Sequence, residues 1–148
     1  MKRILPVLAW VLLAAACNKP VESLQSRLQK ATQIDINFYG EGFDAAHPVV
    51  LTAPADIDSL SKMVTDVDAG ELKCMYDGRV VFKMADSVLF AGEFNLAKDC
   101  AHISYKTDDL THFSKLSTGA LATLTQLKAS NEKSKIDDLK WFLGRWMQ

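Results

Sequence analysis

The sequence predicts an α+β domain: a single antiparallel β-sheet, built as a meander, with helices packed mainly on one face. Apolar and polar residues alternate in short runs between residues 71 and 116, and turn signals such as Asp77-Gly78 and Asp108-Asp109 separate these runs. Helical spacing precedes and follows them. The chain has 148 residues, which is enough for one domain of ordinary size.

The composition is that of a foldable chain. Hydrophobic residues make up 49% and charged residues 24%, which excludes a disordered, collagen-like or low-complexity protein. Lysine and arginine number 17 against 18 acidic residues, so the net charge is −1. A broad basic surface is therefore not expected, and we expect no nucleic-acid partner.

Residues 1–16 have the anatomy of a secretory signal peptide. The basic pair Lys2-Arg3 precedes an apolar stretch, and small alanines then lead to Cys17. The apolar stretch is shorter than the ~20 residues that span a bilayer. The sequence therefore predicts a cleaved signal peptide, with a plain N-terminal membrane anchor as the alternative.

The end of this segment, Leu13-Ala14-Ala15-Ala16-Cys17, resembles the lipobox of bacterial lipoproteins, with Ala14 where leucine is commoner. The resemblance implies that Cys17 becomes the mature N-terminus and carries acyl chains that anchor the protein to a membrane. Asn18 stands where aspartate would favour the inner membrane, which implies the outer membrane, facing the periplasm. The resemblance implies nothing about the domain that follows.

The two remaining cysteines, Cys74 and Cys100, are expected to form one disulfide in this oxidising compartment. Metal or redox chemistry is the alternative. The separation of 100 − 74 = 26 positions fits no C-x-x-C motif, and Cys100-Ala101-His102 is a poor zinc signature.

The first half of the mature chain alternates helices and strands. Residues 17–30 are predicted as a tether and a short N-terminal helix, and residues 31–130 as the α+β domain. Strands are expected at 32–39 and 48–53. A helix capped by Asp56 follows and ends at Gly70. Its apolar face is formed by Ile57, Leu60, Met63, Val64 and Val67.

The strands of the meander are predicted from the alternation of apolar and polar side chains. A three-residue loop at Tyr76-Asp77-Gly78 places the apolar residues on one face of the sheet, whereas a two-residue Asp-Gly loop would give a face of mixed polarity. A second three-residue loop is expected at 85–87. The predicted inner face comprises Leu72, Cys74, Val80, Phe82, Met84, Val88, Phe90, Phe94, Ile103 and Tyr105, and the predicted outer residues include Glu93, Asn95, His102, Ser104 and Lys106.

Two helices are predicted at the C-terminal end. Ser117 caps the first, which carries Ala120, Leu121, Leu124 and Leu127, and residues 129–134 form a polar linker. Residues 131–148 contain the second, an amphipathic helix whose apolar arc includes Ile136 and Trp146. We expect this helix to dock on the domain and to leave Trp141 more exposed than Trp146.

These features favour a non-enzymatic envelope lipoprotein that binds another protein, as an inhibitor or an assembly factor. Candidate partner-binding residues are Gly42 and Phe43, in an exposed loop, and Trp141. The alternative is a small hydrolase or small-ligand binder that uses His102 and His112. The chain lacks H-E-x-x-H, G-x-S-x-G and glycine-rich phosphate motifs, and we expect no metal or other cofactor.

Overall fold

The structure, a computed structural model, describes residues 22–40 and 48–146, excepting the side chains of residues 135, 137–139 and 142–146. Its strands form one seven-stranded antiparallel sheet in the order β2-β1-β4-β5-β6-β7-β3, which confirms the α+β prediction. The elements are, in chain order, α1 (Leu24–Leu28), β1 (Gln33–Phe38), β2 (Val49–Leu51), α2 (Pro54–Ser61), β3 (Val64–Asp68), β4 (Gly78–Met84), β5 (Ser87–Asn95), β6 (His102–Thr107), β7 (Leu110–Leu116) and α3 (Thr118–Trp146).

The helices pack on one face of the sheet, which we call the inner face. Leu28 of α1, Leu60 of α2 and Leu124 of α3 are fully buried in one hydrophobic cluster with alternate residues of the central strands. Burying each large apolar side chain contributes about 1.5–3 kcal/mol. The strand residues in this cluster are Ile34, Ile36, Phe38, Val80, Phe82, Phe90, Phe94, Ile103 and Leu116.

Residues 69–77, which we call the strap, begin at the edge strand β3, and their second half, from Cys74 to Asp77, crosses the other face of the sheet, which we call the outer face. The strap joins β3, at one edge of the sheet, to β4, the third strand from the opposite edge. The Asn95 side-chain amide donates a hydrogen bond to the Met75 carbonyl, and the Tyr76 ring lies 5.7 Å from the His102 ring. Both Asn95 and His102 project from the outer face, so the strap lies against it.

The predicted disulfide is confirmed. Cys74 of the strap is bonded to Cys100, which lies two residues before the start of β6, and their Cα atoms are 6.6 Å apart. The bond closes a loop with a sequence separation of 26. A bridge of this kind stabilises a domain by about 2–4 kcal/mol.

The helix predicted from Asp56 to Gly70 is wrong in its second half. The N-cap is Ala53, Asp56 lies in the first turn, and α2 ends at Ser61. Val64 and Val67 belong instead to the edge strand β3, where Val67 is 52% exposed. Their spacing fits a helix by coincidence, whereas β-branched residues favour a strand.

The predicted hairpin at Tyr76-Asp77-Gly78 is also wrong, because Gly78 opens β4 and the residues before it belong to the strap. Leu72, predicted on the inner face, is 36% exposed there. Met84 is 43% exposed because it ends β4, directly at the turn to β5.

The turn from β4 to β5 is shorter than predicted. Met84 pairs with Ser87 across a two-residue turn. The register then shifts between Phe82 and Lys83, which leaves Leu89 as the extra residue of a β-bulge. The shift exposes 60% of Val88, predicted to be inward, and restores Phe90 and Phe94 to the predicted inner face.

The two predicted C-terminal helices are one. Ser117 accepts a hydrogen bond from the Ala120 N–H at 3.3 Å, which confirms the predicted cap. The predicted linker at 129–134 is helical, and α3 continues without a break to Trp146. Ile136, expected on the docking face, is 52% exposed.

We predict that Gly78→Ala destabilises the domain by about 2–3 kcal/mol through overpacking. A Cβ atom at this position would lie 2.6 Å from Phe94 Cζ and would also clash with the Asn37 carbonyl. Gly119→Ala in α3 is the matched control, since a Cβ there meets no atom within 4 Å. Urea denaturation should show a lower midpoint for Gly78→Ala only, and equal midpoints for the two variants would contradict this packing.

Candidate functional site

The two histidines considered for catalysis lie on opposite faces of the sheet. In the ladder between β6 and β7, His102 pairs with Lys115, and His112 pairs with Tyr105. Positions three residues apart along a strand are separated by about 10 Å and face opposite sides. The two imidazoles therefore share no cleft, and a hydrolytic mechanism that needs both lacks the required geometry.

His102 is a buried residue beneath the strap. The predicted parity is correct, because its side chain projects from the outer face, but the expected exposure is wrong, since the residue is 0% exposed. Its Nδ1 lies 2.7 Å from the Cys100 carbonyl oxygen, which only accepts hydrogen bonds, so Nδ1 carries the proton. Its Nε2 has no hydrogen-bond partner among the described residues. The rings of Tyr76 and Phe113 pack against it, which indicates a structural role.

Asn95 is the second outer residue that the strap buries. It was expected to be exposed but is only 6% exposed. Its side-chain oxygen accepts a hydrogen bond from the Ala97 N–H at 2.8 Å, while its amide nitrogen holds the Met75 carbonyl. A buried amide side chain is tolerated here because both its oxygen and its nitrogen form hydrogen bonds.

Asp77, the last residue of the strap, joins three parts of the molecule. Its carboxylate accepts hydrogen bonds from the Lys128 ammonium of α3 at 2.6 Å and from the Leu96 N–H at 2.8 Å. Its backbone N–H donates to the Phe94 carbonyl, and its carbonyl accepts from the Tyr39 N–H. Burial alone would raise the pKa of Asp77, but Lys128 and the Leu96 N–H outweigh it and hold the pKa below its ordinary value.

His112 lies on the inner face, in a groove of about 920 Å³. The groove opens between α1 and the edge strand β3, with β6 and β7 as its floor. Leu24 and Leu28 line the side formed by α1. The His112 ring stacks on the Tyr105 ring, with 5.3 Å between centroids and 20° between planes. The groove is therefore a cleft large enough for a small ligand or a peptide side chain.

No pattern in the sequence indicates the groove or the role of Asp77. The groove depends on β3, which the sequence analysis assigned to a helix, and on the position of α1 above the sheet. Asp77 was assigned to a hairpin turn, and its Lys128 partner is 51 residues away. No periodic pattern identifies a contact between such distant positions.

Of the remaining candidate residues, the structure describes only Trp141. Cys17, Gly42 and Phe43 lie outside the described residues, while Trp141 is 65% exposed. Trp146, its predicted buried counterpart, has no described side chain. In the described part of the chain, no three His, Cys, Asp or Glu residues are grouped to hold a metal ion. No helix in that part is long and apolar enough to cross a bilayer.

Comparison with known proteins gives no match: no family model, curated protein or solved structure is significantly similar to this chain. Its function is therefore inferred from residues and geometry alone.

We predict that Asp77→Asn lowers the free energy of unfolding by about 1–2 kcal/mol at pH 7, because a charge-assisted hydrogen bond is lost. The folded-state pKa of Asp77 lies below its unfolded value, so the stabilisation is present above pH ~4 and is lost as the pH falls through the folded-state pKa. Urea titrations of both proteins between pH 7 and pH 2 measure this difference.

Asp86→Asn, at an exposed turn, is the control and should show no comparable difference at any pH. A gap between Asp77→Asn and the unsubstituted protein that stays constant down to pH 2 would contradict the role of the Asp77 carboxylate.

Proposed function

We propose that this protein is a lipoprotein of the bacterial envelope whose domain binds another protein and catalyses no reaction. Acyl chains on Cys17 anchor it, and the domain faces the periplasm from the outer membrane. The observation that supports binding is the second half of α3, which carries exposed apolar side chains beyond the part of the helix that packs on the domain.

The first part of α3 is held firmly. Ala120 and Leu124 are fully buried in the core, and Lys128 forms an ion pair with Asp77. A helix of 29 residues is about 44 Å long, so the segment after Lys128 accounts for more than half of its length. The described side chains of this segment are exposed, except at the half-buried position 131. We call residues 129–146 the distal half of α3.

The distal half of α3 suits a protein partner better than a lipid surface. Ile136 and Trp141 are 52% and 65% exposed. The sequence adds further apolar residues to this half, namely Leu139, Phe142, Leu143 and Trp146, which the helical period predicts on one side together with Ile136. The polar positions mix acids and bases, which anionic lipid does not favour. Trp141 is five residues, or about 140° around the helix, from Ile136, so a partner groove that encloses the helix contacts both residues. An exposed tryptophan commonly dominates the binding energy of such an interface.

One observation supports the envelope location. The Cys74–Cys100 disulfide suits an oxidising compartment such as the periplasm. The tether from Cys17 to Ser23, the N-cap of α1, spans 23 − 17 = 6 residues and reaches at most about 20 Å. An acylated Cys17 would therefore keep the domain close to the membrane surface, within reach of membrane-bound partners.

For the anchor, we predict that labelled palmitate enters the full-length protein in bacterial cells and that Cys17→Ser abolishes more than about 90% of the label, since this residue offers the acylated amine and thiol. The label is measured by gel fluorography of the immunoprecipitated protein. Asp86→Asn, a substitution at an exposed turn, is the control variant and should keep its label when labelling is normalised to the amount of precipitated protein. Equal labelling of the Cys17→Ser variant would refute the anchor.

For the binding surface, we predict that a photo-crosslinking amino acid placed at Ile136 or Trp141 gives one discrete adduct in cells. The same amino acid at Val88, an apolar hairpin residue that is 60% exposed, is the matched control and should give none. Trp141→Ala should reduce the adduct from position 136 about tenfold, as expected for a binding hot spot. Adducts of equal yield from all three positions, or from none, would contradict the proposal.

A further inference from the structure

We propose that the groove on the inner face binds a guanidinium group, carried by a free small molecule or by an arginine side chain of a peptide. This site is separate from the distal half of α3, and its ligand need not be the partner proposed there.

The first argument is the charge of the groove. Asp66, Asp68 and Glu71 line it, and no lysine or arginine is among its lining residues. No ion pair involves these three carboxylates in the described part of the chain, whereas other acidic residues, such as Asp35 and Asp77, do pair with lysines. Uncompensated carboxylates on one cleft concentrate a negative potential there, which attracts a cation and repels an anion.

The second argument is independent of charge and concerns Ser114 on the floor of the groove. This residue is only 7% exposed and projects from the inner face, because it pairs with the inward residue Ile103. Its hydroxyl forms no hydrogen bond with any described residue, although Ser61, which also lines the groove, donates to the Asp58 carbonyl. The Ser114 hydroxyl is therefore open toward the groove, with its hydrogen-bonding capacity unused by the described residues. A ligand N–H group would satisfy it.

The third argument selects a guanidinium over an ammonium. Phe90 and His112 pack against the Tyr105 ring, so the aromatic face that the groove offers is the far side of the exposed His112 ring. A guanidinium is planar, stacks on aromatic rings, and presents several N–H donors in one plane to carboxylate and hydroxyl oxygens. An ammonium is compact and strongly hydrated, so it uses such a surface less well.

The test is isothermal titration calorimetry of the mature domain in low salt with three probes. These are the peptide acetyl-Gly-Arg-Gly-amide, the same peptide with citrulline in place of arginine, and L-argininamide. Citrulline keeps the shape and loses the charge, so we expect the arginine peptide to bind at least about tenfold more tightly. Comparable affinity of argininamide would indicate a small-molecule ligand, and a clear advantage of the peptide would indicate a peptide ligand.

Variants locate the binding. Ser114→Ala and Asp66→Asn should each weaken binding of the arginine peptide by about three- to tenfold, as expected for one hydrogen bond or one charge contact. Asp86→Asn, at the exposed β4–β5 turn, is the control for loss of one negative charge and should leave the affinity unchanged. Thermal melts of all variants verify that they are folded.

The proposal is overturned if the citrulline peptide binds as tightly as the arginine peptide, if no cationic probe binds at millimolar concentration, or if folded groove variants bind like the control. None of these results would affect crosslinking from α3, so the two proposals fail or stand separately.

Discussion

The Cys74–Cys100 disulfide holds the strap against the outer face, and the rest of the arrangement depends on it. The chain reaches β3 at one edge of the sheet and must return to β4 near the other edge. Antiparallel neighbours are usually joined by tight hairpins, whereas residues 70–76 of this long crossing form no backbone–backbone hydrogen bonds with the described residues that would fix their course. The disulfide and the polar contacts of Asn95 and Asp77 hold the strap in place.

The crossing makes the two faces chemically different. Beneath the strap, His102 is buried between aromatic rings with one ring nitrogen bonded to the Cys100 carbonyl. On the inner face, His112 remains exposed because α1 leaves a gap beside β3. Two histidines on neighbouring strands therefore serve different purposes, one in packing and one in a groove. The same strap orients α3 through Asp77 and Lys128, and so determines where its distal half begins.

The sequence predicts the parts of this fold that depend on local period and on composition. The alternation of Ile34, Ile36 and Phe38 identifies β1, and the inward positions of Phe90 and Phe94 follow from parity. Parity also places His102 on the correct face. It fails to predict burial there, because the cover comes from a segment distant in sequence.

The errors share a physical cause. Val64 and Val67 fit a helical period and a strand equally well, and only pairing with β7 decides between them. One extra residue at Leu89 reverses the facing of Val88, since strand side chains alternate with a period of two. The polar residues 129–134 contain no glycine or proline, so nothing local ends the helix there. A local sequence pattern does not predict strand pairing or tertiary contacts between distant residues.

The central claim is that the disulfide-held strap buries His102 and leaves His112 accessible. The most direct measurement is modification of the native domain with diethyl pyrocarbonate, followed by mass spectrometry of its peptides. In the oxidised protein, His112 should react and His102 should remain unmodified. After reduction of the disulfide under native conditions, His102 should become reactive as the strap loosens. Modification of His102 in the oxidised protein at the rate of His112 would contradict the account.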